Sequence, residues 1–201
     1  MMSSGSANSV PERHLMMAIT GASGAIYAKR LLDVLTESRV RVHLIVSDAG
    51  KKILSLELGL KIDDLLHELV TLYDYKDFSA RIASGSFLTE GMIIVPCSMG
   101  TLGAIAQGIS MNLIHRCADV CIKEGKKLIL VPRETPLNSI HLENMLKLSR
   151  LGVTLLPAMP GFYNKPKTVE DIADFIVARI LNQLRIPQNL IKPWDGLPSD
   201  H

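Results

Sequence analysis

The sequence predicts an α/β protein, a three-layer α/β/α domain built on a mainly parallel sheet. Three observations carry this. Short β-like runs alternate with longer helical patterns along nearly the whole chain. Runs such as "MIIVP" (92–96) and "LILVP" (128–132) are continuously apolar, as strands covered on both faces must be. The first run also feeds a helical pattern directly through small residues, "TGASG" (20–24), and such alternation favours right-handed crossovers.

In order, the first strand spans His14–Thr20 and a helix near 24–38 follows it, with Ser23 placed to cap that helix. Arg41–Val46 is the second strand, and helices are expected near 48–58 and 62–70. Met92–Pro96 is the third strand, followed by helices near 101–109 and 112–124. The latter carries the apolar stripe Leu113, Ile114, Cys117, Ala118 and Cys121. Lys127–Val131 and Val153–Leu156 complete the strands, and helices near 138–150 and 168–185 complete the outer layers. No internal repeat or interior linker divides the chain. Residues 1–13, small and polar, read as a disordered lead, and 14–201 as one domain.

The 201 residues give ample length for a core. Net charge is only +2 and the basic residues are scattered, which argues against a nucleic-acid partner or a membrane surface. No apolar run approaches the roughly 20 residues that span a bilayer. No signal peptide is evident and the three cysteines are odd in number, so reduced thiols and a cytoplasmic location are expected.

Ligands of parallel sheets lie beyond the carboxyl ends of the strands. Those ends deliver "TGASG" (20–24), "SDAG" (47–50), "PCSMGT" (96–101), "PRETP" (132–136) and "PAMPGFY" (157–163). Gly21 and Gly24 allow close backbone approach, and free amides at the following helix face an anion. An isolated Gly-x-x-Gly can equally be a plain cap, but Ser47, Ser98 and Thr101 repeat the hydroxyl at neighbouring strand ends. NAD fits poorly, because G-x-G-x-x-G is absent and Ser47 stands where an acidic residue should hold the ribose. "YNKPK" (163–167) spells Tyr-x-x-x-Lys, but Pro166 disfavours the helix that pairing needs. A mononucleotide with a phosphate and a ribityl chain suits a row of hydroxyls better.

Other groups read mainly as structure. Cys97 has no histidine nearby in sequence to activate it. Cys117, Cys121 and His115 lack a fourth ligand, and "HLE" (141–143) has no P-C-x-x-C after it, so no metal is expected. Among the cations Arg116, Lys123, Arg133 and Arg179, the last stands within "DFIVARIL", whose other residues look buried, so a partner is expected for it. Glu57 in "SLELGL" is either an exposed helical residue or a carboxylate tuned for proton transfer.

From residue 15 to about 194 the chain resembles the UbiX-type flavin prenyltransferases. The resemblance rests on "TGASGAIYAKRLL", "ASGSF" (83–87), "PCSMGTL", "NLIHRCADVCIKE", "LVPRETPLNSIHLENMLKLS", "PGFYNKP" and "ARILNQLRIPQNL" in that order. It implies a Rossmann-like flavoprotein that moves the dimethylallyl group of dimethylallyl phosphate to N5 and then C6 of reduced FMN. It also implies a homododecamer without a metal, and a partner decarboxylase of the ubiquinone-pathway type that uses the prenylated FMN.

By the same resemblance, FMN is held by Gly21, Ala22, Ser23, Ser47, the Ser98, Met99, Gly100, Thr101 loop, and Arg133. Tyr163 and Arg179 hold the donor phosphate, while Lys123, Arg116 and Glu134 reach a neighbouring subunit's site. Glu57 is the acid–base carboxylate, with Ser23 and Glu134 beside the chemistry. Ser84 and Gly85 lie beside the isoalloxazine, and Trp194 covers the pocket. Some relatives carry lysine in place of Gly100. The alternatives are a flavin-dependent cysteine-type decarboxylase and a non-catalytic FMN-binding subunit. The former carries a "PASANT" loop and a catalytic histidine, where this chain has "PCSMGT" without the Asn and Glu57 in the acid–base role.

Overall fold

In the computed structural model, residues 13–192, 194 and 196 are described. Of the expected lead, residues 1–12 lie outside them. Arg13 is anchored: its guanidinium donates to Glu90 (Nε–Oε1 2.7 Å) and to the Leu184 carbonyl at 2.8 Å.

The elements are β1 (His14–Ile19), α1 (Ala25–Glu37), β2 (Arg41–Val46), α2 (Asp48–Leu58), β3 (Val70–Tyr73), β4 (Gly91–Cys97), α3 (Met99–Ala106), α4 (Leu113–Lys123), β5 (Lys127–Pro132), α5 (Ser139–Arg150), β6 (Thr154–Leu155) and α6 (Val169–Gln183), with short 3-10 turns at Ile62–Leu65 and Arg81–Ala83. All six strands pair in parallel, in the order β3-β2-β1-β4-β5-β6. This is the Rossmann-like arrangement expected.

Each face of the sheet carries its own core. Leu15, Met17 and Ile19 of β1 pack with the apolar sides of α1 and α6. Met16 and Ala18, pointing the opposite way, pack with α3, α4 and Leu148 of α5. The central β4 is buried along its whole length, which is why its sequence shows no alternation. Among the described residues no helix is long and apolar enough to cross a membrane.

One expected element differs. The segment expected to be helical at 62–70 is a single 3-10 turn at Ile62–Leu65, and the chain then forms the edge strand β3. "IDDLL" places apolar residues at a helical spacing, but Val70–Tyr73 is β-branched and aromatic and finds a free edge on β2.

Strand order reverses between β1 and β4, and their ends are tied by Thr20. Its buried hydroxyl donates to the Pro96 carbonyl at 2.8 Å and accepts from the Ser98 amide at 2.8 Å. Thr20→Val keeps the shape, strands the Ser98 amide and leaves the Pro96 carbonyl only the Thr20 amide at 3.3 Å. A loss of about 1–3 kcal/mol is expected, read as a lower urea midpoint at unchanged slope. An unchanged midpoint would show that water replaces the hydroxyl.

Candidate active site

The loop after β1 is shaped by close approach. A Cβ on Gly21 would lie 2.5 Å from that of Ala49, so glycine lets this loop lie against the start of α2. Gly24, the N-cap of α1, sits at φ 114°, a conformation that favours glycine. Ser23 was expected to cap α1, but Gly24 occupies that position and caps with no side chain of its own.

The capping group is Glu57, from the last turn of α2. Its carboxylate accepts from the Gly24 amide at 2.9 Å and the Ala25 amide at 2.8 Å. Burial pushes the Glu57 pKa up, but the Ser23 hydroxyl, these two amides and the charge of Arg133 outweigh it and hold the group below its ordinary value. Arg133, at the end of β5, also donates from Nε to the Ser23 carbonyl at 3.3 Å. The structure thus joins Ser23 after β1, Glu57 at the end of α2 and Arg133 after β5. The anion at the start of α1 is the protein's own carboxylate, where a ligand phosphate was expected.

The other hydroxyls cap neighbouring helices. Ser47 Oγ accepts from the Gly50 amide at 3.0 Å, and Ser98 Oγ accepts from the Thr101 amide at 3.2 Å. Ser98 also donates to Thr101 Oγ1 at 3.0 Å. The Ser47 and Thr101 protons therefore remain available to a ligand. Met99 is buried beneath this turn, whereas the space beside Gly100 is open, with nothing within 4 Å of an added Cβ. Glu134 lies at the same edge and accepts from the Thr135 amide at 3.0 Å.

Tyr163 and Trp194 come together: their rings meet edge-to-face at 5.4 Å, and Tyr163 meets Phe175 of α6 at 5.8 Å. Arg179, expected to be buried with a partner, is exposed, because Ile176, Val177 and Ile180 take the inward face of α6. It lines a cavity of about 330 Å³ with Phe175 and the chain after β6.

The remaining site residues lie along α4 and the segment before β4, with Lys123 toward the head of β5. Lys126, just before β5, donates to the Gly85 and Phe87 carbonyls at 3.0 and 2.8 Å, and Phe87 abuts His14 at the start of β1. Arg116 donates to the Ala83 carbonyl at 3.2 Å, and Lys123 pairs with Glu124 beneath Gly85. Ser84, Gly85, Arg116 and Lys123 therefore form one cluster, which the structure does not bring to the strand-end loops of the same chain.

Cys97, Cys117 and Cys121 are buried, and desolvation pushes each thiol up to about 12, so none is a ready thiolate. Among the described residues no three His, Cys, Asp or Glu side chains converge as metal ligands. Sequence reasoning missed Phe175, although its place four residues before Arg179 on one helix was a usable signal.

The flavoprotein family model matches residues 3–181 of the chain. The chain belongs to the flavoprotein family. It is 50% identical over 195 residues to the flavin prenyltransferase UbiX of Halalkalibacterium halodurans, covering 92% of this chain and 95% of that protein. Among solved structures it resembles AnUbiX in complex with FMN and dimethylallyl pyrophosphate, at 38% identity and TM-score 0.90, covering 92% of this flavoprotein and 99% of that chain. It also resembles the dodecameric FMN-dependent UbiX-like decarboxylase of Escherichia coli O157:H7, at 46% identity and TM-score 0.88, covering 91% of this chain and all of that one (100%).

The capping role of Glu57 gives a stability prediction. Its lowered pKa means its contribution is complete above the ordinary carboxylate range and fades as pH falls through the lowered value. Glu57→Gln should cost about 1 kcal/mol at neutral pH. The gap to the unsubstituted protein should close in acid, as measured by urea denaturation across pH. A gap that persists at the lowest pH would assign the loss to packing instead.

Proposed function

We propose that the protein is a flavin prenyltransferase, which joins the dimethylallyl group of dimethylallyl phosphate to reduced FMN at N5 and then C6, releasing inorganic phosphate. The observation that carries this is 50% identity to a flavin prenyltransferase across 95% of that relative's length. The donor set also fits FMN: hydroxyls of Ser47 and Thr101 with protons to give, and a guanidinium at Arg133, suit a phosphorylated polyol chain.

Reduced FMN, when bound, supplies the electron-rich atoms that take the allylic carbon. Ser23, Ser47, Ser98, Thr101 and Arg133 hold and orient it, and Gly21, Ala22, Met99 and Gly100 let backbone approach. Tyr163 and Arg179 hold the donor phosphate, and the exposed Arg179 has no ion pair among the described residues. A cation there stabilises the charge that develops as phosphate leaves. Trp194 closes over Tyr163 and keeps water from the allylic carbon. Glu57 is ionised at neutral pH and hydrogen-bonded to Ser23, so it is placed to accept the proton that C6 loses, with Glu134 as the second carboxylate at that edge.

Ser84, Gly85, Arg116 and Lys123 complete the site of a neighbouring subunit in a homododecamer, the assembly of the Escherichia coli relative. Three buried free thiols suit the reducing cytoplasm. A partner decarboxylase of the ubiquinone-pathway type receives the product.

A second reading, an FMN-dependent decarboxylase, is favoured by the likeness to that same Escherichia coli UbiX-like decarboxylase. Anaerobic incubation with reduced FMN and dimethylallyl phosphate separates the two. The extracted flavin should gain one dimethylallyl group less the hydrogen it replaces, whereas unmodified flavin would overturn the prenyltransferase.

Glu57→Gln should bind both substrates and slow single-turnover prenylation by roughly a hundred- to ten-thousand-fold. Tyr163→Phe and Arg179→Ala should instead raise the KM for the donor and spare FMN affinity. A wild-type rate in Glu57→Gln would leave the carboxylate a cap and nothing more.

A further inference from the structure

A second cavity, of about 310 Å³, shares Phe175 with the one that holds Arg179, so this residue lines both. Its polar lining carries Lys165, Lys167 and Lys192, and two carboxylates, Asp171 and Asp174. Both carboxylates are already engaged. Asp174 accepts from Arg30 Nε at 2.6 Å. Asp171 accepts from the backbone amides of Lys167 and Thr168 at 2.8 and 3.1 Å and faces the charge of Lys167. Lys165 and Lys192 are exposed and have no ion pair among the described residues, so the cavity keeps an excess of positive charge. Phe175, Leu190 and Ile191 give the same lining an apolar part.

Cations together with aliphatic and aromatic surface in one cavity suit an anion that carries a short apolar tail. A bare phosphate would leave the apolar part wet, and a neutral isoprenoid would leave the lysines unmatched. We propose that this cavity is an entry subsite, which captures the phosphate monoester of a short isoprenoid alcohol and hands it past Phe175 to Arg179. The inference rests on the prenyltransferase reading for the identity of the donor. Lys165 and Lys192 act there by attraction alone, ahead of the chemical step, and their effect weakens as salt screens them.

The test uses the full-length protein carrying Lys165→Ala and Lys192→Ala together, with Lys167 left on Asp171. With reduced FMN bound, kcat/KM for dimethylallyl phosphate should fall about three- to tenfold at low ionic strength, with kcat unchanged. The salt dependence of kcat/KM should flatten, and Lys165→Arg with Lys192→Arg should restore both. Calorimetry with the flavin-free protein should show weaker binding of dimethylallyl phosphate by a similar factor. A double-alanine variant with the wild-type kcat/KM, salt slope and binding would overturn the subsite while leaving the prenyltransferase intact. Absence of prenylated FMN from the wild-type protein would overturn the reading beneath it.

Discussion

One buried hydroxyl joins the two halves of the sheet where the chemistry collects. From β1 the sheet grows toward β2 and β3 on one side and toward β4, β5 and β6 on the other. Such a reversal leaves a crevice between the ends of the two central strands. Thr20 spans it, donating to β4 and accepting from the amide of Ser98, the residue that caps α3. With that tie in place the first loop cannot drift from the third-strand loop. Gly21 against Ala49, and Gly50 against the Ile19 carbonyl, draw α2 to the same point. The positions of Ser23, Ser47, Ser98 and Glu57 follow from this small set of backbone contacts.

Charge at this edge is divided among helix ends. The positive end of α1 is satisfied by Glu57, while α2 and α3 are capped by hydroxyls that bring no charge. A ligand phosphate therefore meets no carboxylate at α3, the Asp48 carboxylate at α2 already held by Tyr75, Lys51 and Lys76, and one fixed carboxylate at α1. The same amides that fix Glu57 hold it ionised, so at neutral pH it is ready to accept a proton and poorly suited to give one. Arg133 shares in this from β5, through the Ser23 carbonyl and the charge of Glu57.

Much of this was legible in the sequence, for physical reasons that also explain the failures. Five of the six strands show as apolar runs because burial on both faces removes alternation. The sixth, β3, is an edge strand with two of its four residues exposed, and its signal was overwritten by the helical spacing just before it. The strand-end loops could be read because a parallel sheet puts them all on one side. The capping of α1 by Glu57 could not, since a contact spanning 33 positions leaves no local pattern. Arg179 misled for the opposite reason: four apolar neighbours look like burial until the turn of the helix shows that they occupy the other face.

The placement of Ser84, Gly85, Arg116 and Lys123 bears on why such a protein assembles. A helix that leads directly into the next parallel strand, as α4 leads into β5, runs back toward the strands' amino ends. The C-terminal Lys123 of α4 is thus carried about 15 Å from that helix's start, next to Lys126 and the head of β5. No rotamer of a lysine returns its charge to the Ser23 loop from there. On the proposed reading these cations serve the same reaction as Glu57, so the two edges must meet between chains rather than within one. The exposed apolar side chains of α5, Ile140, Leu142 and Leu146, accord with a surface that other copies cover. On that reading a closed ring of heterologous contacts would set each chain's Lys123 edge against its neighbour's carboxyl edge. Under the proposed reading, a site shared in this way would let a single sheet of modest size surround a reactive allylic carbon on all sides, which the loops of one strand edge cannot do alone.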